Sequence, residues 1–409
     1  MTSDAELVAA VRSGNAARVK AAVDADADPD AVDEHGTPVL CLAVDTLDPA
    51  VVEELAWCAR IDGADPDGRT PLLRAVDRGA FDIMAVLVAK GAHLWIKDAE
   101  GRDALALARY WHETGAVTEL RRRTGLTEPV RRTSLRDEDG CIREELALGA
   151  LTIRTGHAAI LTYLEPKYGI RPPFEELLAR ALAEPDVDHE VWWTTTGILQ
   201  QRHDPLVWQA SAALCARADP RERCFGAEVL RAIHLFDESE DDPFEGPLVD
   251  LFLDRAAEER DPRVMRVLTA GLSDTIDPRR VDTLVTLAGH DDGRVRERAV
   301  YGLAEPVASA DAPSLAVVLA RTRDAVADVR RAACLTLCEA PTNLPAPSDA
   351  LAARLEDEDE AVRVTAATRL VLRDDPRGDE LLGAYVGTAE DSPHYWRLYE
   401  AWHHDRPTG

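Results

Sequence analysis

Apolar residues along this chain fall in short groups spaced by three and four, the period of a helix face. The groups come in pairs, separated by small or turn-forming residues. In the first third, three segments open such pairs: Gly36-Thr37-Pro38-Val39-Leu40, Gly68-Arg69-Thr70-Pro71-Leu72 and Gly101-Arg102-Asp103-Ala104-Leu105. Residues 37, 70 and 103 are 33 apart each time. Each segment runs into an apolar stretch, then a small turn and a second helix, as in residues 78–92, and residues 13–27 repeat that second half near the start. The spelling has a physical reason: Thr caps a helix, Pro suits its first turn, and Gly reverses the chain with positive φ.

From residue 172 a different pattern takes over, Asp-x-x-Val-Arg-x-x-Ala-x-x-x-Leu. Its anchor positions are Val191, Glu222, Val264, Val295, Val329 and Val362, spaced by 31, 42, 31, 34 and 33. Eight residues past every anchor stands a Leu: 199, 230, 272, 303, 337 and 370. Four past it most copies have a small residue, Gly226, Ala299, Ala333 or Ala366. Steps of four and eight share one helix face and predict a buried stripe. Asp188, Asp219, Asp261, Asp292 and Asp359, three before the anchor, are expected as N-caps.

The first array resembles the ankyrin repeat: the turn, the Thr-Pro-Leu helix start and the Gly-Ala after the second helix are present. It departs at residues 63–68, at the longer 109–115, and at Asp103-Ala104 in place of Thr-Pro. The second array is similar to short HEAT repeats, and that resemblance implies a ladder between the Arg slot (223, 296, 330, 363) and the Asp slot. The expected fold is therefore all-α, an alpha-solenoid with an ankyrin array over 1–125 and a HEAT-like array over 171–409. Residues 126–170, with Asp139-Gly140 and 155–169, are read as a degenerate helix pair joining them. Arg121-Arg122-Arg123 and Arg131-Arg132 read as a basic helix end and turn. The acidic run 237–242 falls in the one long spacing and is expected as a loop, and 391–402 as a C-terminal cap.

Composition narrows the function. The chain has 409 residues, 46% hydrophobic, 30% charged and only 5% aromatic, with a net charge of −28. That charge argues against nucleic acid and anionic membrane as partners and favours a protein or peptide with a basic patch. Arg-dominated cations, with four Lys, together with abundant Ala and Asp, suggest a bacterial chain of high-GC usage. The start lacks a basic, apolar leader, and the seven Cys form no CxxC pair, so a cytoplasmic, reducing location is expected.

No nucleotide-binding, zincin or nucleophile-elbow motif occurs. His189-Glu190 is a single His-Glu pair where a HEAT-type di-iron site needs four, so neither metal nor cofactor is expected. His203-Asp204 and His290-Asp291 do not share its repeat phase, and His403-His404-Asp405 falls in a terminal tail. The expected function is a non-catalytic scaffold or adaptor, with an acidic inhibitor of a basic toxin and a HEAT-repeat enzyme as alternatives. Positions two and six past the anchor should point away from the core; they include Trp193, Arg266, Glu297, Tyr301, Arg331 and Leu335. Trp193, Arg266, Tyr301 and Arg331 are the candidate binding residues, Trp193 being either an anchor for a partner or a seal between the arrays. Trp95, in the finger 91–101, is the fifth.

Overall fold

The computed structural model describes residues 3–136, 140–239, 241–385 and 394–404. Asp139, Glu240 of the acidic run, residues 391–393 and Asp405 lie outside them. Among the described residues the chain is mostly helical, with 24 helices and a helix content of 61%. It divides into two units, Met1–Arg202 and His203–Gly409.

The first unit opens with four helix pairs: α1 (Ser3–Arg12) and α2 (Ala16–Asp24), α3 (Val39–Asp45) and α4 (Pro49–Ala56), α5 (Pro71–Asp77) and α6 (Phe81–Ala89), α7 (Ala104–Thr114) and α8 (Ala116–Thr124). Thr70 and Asp103 cap α5 and α7 through the amides of Leu73 and Ala106. Thr37 does not cap: α3 begins one residue later, with Pro38 at its N-cap. The three turn glycines 36, 68 and 101 all stand at φ between +77° and +80°. Each turn is also tied by an aspartate the motif reading passed over. Asp33, Asp65 and Asp98 accept hydrogen bonds from the amides two and four residues on, at 2.8–3.0 Å.

Residues 126–170 differ from the expected helix pair. They hold a three-stranded antiparallel sheet, β1 (Arg131–Arg136), β2 (Ile142–Leu148) and β3 (Leu151–Arg154), followed by α9 (His157–Leu164). The expectation of no sheet is corrected here, and the "turn" at Arg131-Arg132 is a strand. The cause is local. Leu146, Leu148 and Ile153 alternate onto one buried face, and Gly149-Ala150 closes a two-residue hairpin that pairs Leu148 with Leu151. The sheet docks on the α5–α6 turn: the amide of Arg154 reaches the Arg78 carbonyl at 2.7 Å, and that of Gly156 reaches the Gly79 carbonyl. Gly79 has to be glycine. Its φ is +64°, and a Cβ there would lie 2.2 Å from the Arg154 carbonyl oxygen. The unit ends with α10 (Phe174–Ala183) and α11 (Glu190–Gln200), which packs on α9. The first copy of the second sequence pattern thus belongs to the first unit.

The second unit is built of further helices: α12 (Pro205–Leu214), α13 (Pro220–Leu235), α14 (Glu245–Glu258), α15 (Pro262–Asp274), α16 (Val281–Leu287), α17 (Gly293–Tyr301), α18 (Ala304–Ala308), α19 (Ala312–Arg321), α20 (Ala327–Cys338), α21 (Pro345–Ala352), α22 (Glu360–Leu372), α23 (Asp379–Gly383) and α24 (Tyr395–Trp402). The pattern-bearing helices α13, α15, α17, α20 and α22 stack in succession. Every anchor Val and every Leu eight residues on is buried, including those of α11. The small slot serves close approach: a Cβ on Gly226 would stand 2.4 Å from the Ser211 carbonyl oxygen. Asp219, Asp261, Asp292 and Asp359 cap their helices as expected. Asp188 does not, because the α11 cap is His189 one residue later.

The arginine ladder exists, but its rungs end on a different acid. Arg223, Arg296 and Arg330 each fork onto Glu259, Asp324 and Asp357, two residues before the capping position of the next copy, at 2.7–3.0 Å. Each also donates to the two carbonyls five and six residues before itself, and Arg363 keeps that part alone. In α15 the slot holds Met265, and the facing acid position holds His290. There Arg266, one residue on, pairs with the cap Asp292 itself.

Candidate functional site

The sheet insertion lines a concavity of the first unit. Gly140 and Cys141 before β2, Arg143 in it, and the start of α11 meet the N-terminal end of α6 around an open cavity of about 580 Å³. Trp193 and Phe81 form an aromatic wall, edge to face with ring centres 5.2 Å apart. Phe81 is buried, whereas Trp193 is 52% exposed. Asp82, Asp188 and Glu190 bring three carboxyls to the lining, against the single guanidinium of Arg143.

These carboxyls are not equivalent. Asp82 is held by Arg154 at 2.8 and 3.0 Å and by Arg143 at 3.4 Å. Asp188 pairs with Arg136 at 2.8 Å. Glu190, on the first turn of α11, is only 2% exposed. Burial, reinforced by the charge of Asp82, pushes its carboxyl up to about 8, although Arg154 and Arg143 oppose the shift. Gly156 makes room for it, since a Cβ there would lie 2.1 Å from Glu190 Oε1.

This has a consequence for stability. Between its ordinary value of 4.5 and about 8, the unfolded chain loses a proton from Glu190 that the folded chain keeps. The group's contribution therefore falls as pH rises through that window and levels off above it. Glu190→Gln is expected to be more stable than the wild type by about 3 kcal/mol at pH 7 and equal to it near pH 4. Urea unfolding of both proteins from pH 4 to 9 checks this. Parallel curves would mean that Glu190 ionises freely in the folded chain.

His189 is occupied structurally. Its Nδ1 accepts from the Val191 amide at 3.3 Å and its Nε2 lies 3.2 Å from Thr155 Oγ1. Among the described residues no group of three or more His, Cys, Asp or Glu side chains is placed to hold a metal. A second ionic cluster gathers around the buried Asp77 at the end of α5. Burial would raise the Asp77 carboxyl, but hydrogen bonds from Arg123 and Trp111 and the charge of Arg69 hold it at about 2.

The other candidate residues are scattered. Trp95 is 61% exposed and leans on Tyr168, in the turn after α9, at 5.8 Å. In the second unit Arg266 is ion-paired with Asp292, Arg331 bonds Asp328 at 3.0 Å, and Tyr301 is half-buried. The positions expected to point away are thus flanked by the neighbouring helices, and among the six named only Trp193 is exposed. Sequence reasoning found Trp193 but missed Phe81, Asp82 and Arg143, and weighed Glu190 only as half of a metal motif. These residues are spread over more than a hundred positions of the chain, and nothing periodic connects them.

Residues 7–120 match the family model for ankyrin repeats, in three copies. No curated protein matches the chain. Among solved structures, the X-ray structure of YibA from E. coli is similar over 56% of this chain and 80% of that one, at 17% identity and a TM-score of 0.44. Among the described residues no helix is long and apolar enough to cross a membrane.

Proposed function

We propose that this protein is a non-catalytic scaffold of the bacterial cytoplasm that binds a protein or peptide carrying a basic patch. Residues 1–125 would supply ankyrin repeats, and residues 171–409 a HEAT-like series beginning with α10 and α11. Ankyrin repeats are generally protein–protein interaction modules. The observation that carries the reading is Trp193, a large aromatic left half exposed beside a cavity with three carboxyls. Exposed aromatics at such a rim are what interface anchors look like before a partner covers them. Trp95, Tyr301, Arg266 and Arg331 are proposed as further contacts. The net charge of −28 also suits a second reading, an inhibitor that covers a basic toxin. Affinity separates the two: an inhibitor binds one target at nanomolar strength or tighter, while an adaptor binds several more weakly.

The test is a photo-cross-linker at position 193 in the source cell, followed by titration of the captured partner. Trp193→Ala is expected to weaken that partner by about 2–4 kcal/mol while leaving the unfolding midpoint in place. Unchanged affinity with lost stability would make Trp193 a seal within the fold and end the reading.

A further inference from the structure

We infer that the cavity beneath Trp193 seats one cationic side chain of the partner, a lysine or arginine, between the Trp193 ring and the Glu190 carboxyl. This rests on the scaffold reading and gives its partner a specific chemistry.

Three observations converge. The lining includes the half-exposed Trp193, whose indole is the ring system a cation prefers and along which a long aliphatic stem can lie. The neighbouring carboxylates are already matched, Asp82 by Arg154 and Arg143 and Asp188 by Arg136. Glu190 lines the same cavity, and no hydrogen bond or ion pair of its carboxyl is found among the described residues. A small apolar guest would leave that acid group buried without a partner. A guest carrying its own carboxylate would find Arg143, the guanidinium in the lining, already committed to Asp82. An ammonium or guanidinium supplies what Glu190 lacks.

The groups facing Glu190 set a signature for such binding. They are Asp82 on α6, Arg143 on β2, Arg154 on β3 and Glu184 at the end of α10. Burial and the charges of Asp82 and Glu184 keep Glu190 protonated at neutral pH, against the opposing pull of Arg154 and Arg143. An arriving ammonium must displace that proton. The neutral acid and the cation become a carboxylate–ammonium pair, and one proton goes to solvent. Affinity should therefore rise with pH up to about 8 and then level off.

The experiment is calorimetric titration of the full chain with a capped nonapeptide of Gly and Ser carrying one central Lys. A norleucine version and n-butylammonium serve as controls, in two buffers of different ionisation heat. The Lys peptide is expected to bind at least about tenfold more tightly than the norleucine peptide, releasing close to one proton at pH 7 and none at pH 9.5. Glu190→Gln, isosteric and folded by its thermal midpoint, should lose the proton release and about tenfold in affinity. Trp193→Phe should retain most of the binding that Trp193→Ala loses. Equal binding of the Lys and norleucine peptides, or a Glu190→Gln variant with unchanged affinity and pH profile, overturns the inference. n-Butylammonium binding as tightly as the peptide also overturns it, by giving the cavity to free amines. The scaffold reading fails separately. A protein cross-linked from position 193 that binds regardless of these outcomes leaves it standing, whereas amine binding with no cross-linked protein removes it.

Discussion

Arg330→Ala is expected to lower the unfolding free energy of the second unit by about 3–5 kcal/mol, read from urea denaturation of the full chain. Arg330 and Asp357 are both nearly buried, and the guanidinium forks onto the carboxylate at 3.0 and 2.7 Å. It also covers the carbonyls of Asp324 and Ala325 at the end of the preceding loop. Truncation strands the carboxylate and two carbonyls at once. Arg354 lies 3.4 Å from Asp357 and the Asp359 amide 3.1 Å, so part of the compensation survives and the lower end of the range is favoured. Replacing both partners with apolar residues, Arg330→Met with Asp357→Leu, should recover most of the loss, because the cost lies in the stranded charge rather than in the missing pair. A loss below about half a kcal/mol for Arg330→Ala would mean that the rung behaves as a surface ion pair.

Leu337→Ala is expected to cost about 2–5 kcal/mol in the same measurement. Leu337 is fully buried and sits in the continuous helix α20, whose backbone is held on both sides by α17 and α22. Such a site relaxes little around a hole. Leu303 occupies the equivalent place but lies just past the end of α17, at the break before α18. Its surroundings can close in more easily, so Leu303→Ala should fall at the lower end of the same range. A cost under about half a kcal/mol at Leu337 would mean that the stripe of anchor, small residue and Leu does not line the core.

What could be read from the sequence follows the range of the interactions involved. The helix pairs, the buried Leu series and four of the five aspartate caps depend on residues within one or two turns of each other, and periodicity records that. The sheet was missed because its three strands are short and one of them, β1, is exposed along its whole length. A polar strand such as Arg131–Arg136 has no alternation to betray it. The rung acids were displaced by two positions because the pattern marks where aspartate recurs, and the caps recur more faithfully than Glu259, Asp324 and Asp357. The cavity was hardest of all. Trp193 stood out as an aromatic at an outward phase, but Phe81, Asp82 and Arg143 meet it only because the hairpin carries β2 across to α6.

The offset rung at α15 bears on how such a chain can be rearranged over generations. Duplication and unequal recombination lengthen repeat arrays by copying whole units, and a copied unit succeeds only where its edges match those of its new neighbours. The units bearing Arg296 and Arg330 present the same forward-reaching group, so an exchange between them preserves the joins. The unit with Met265 and Arg266 is keyed to the cap of the one that follows, where His290 has replaced the acid. Spliced elsewhere, it would leave an aspartate such as Asp324 or Asp357 facing a methionine. That join fixes the order of the two units it links, and an exchange that preserves both edges is open to units that share the forward-reaching arginine.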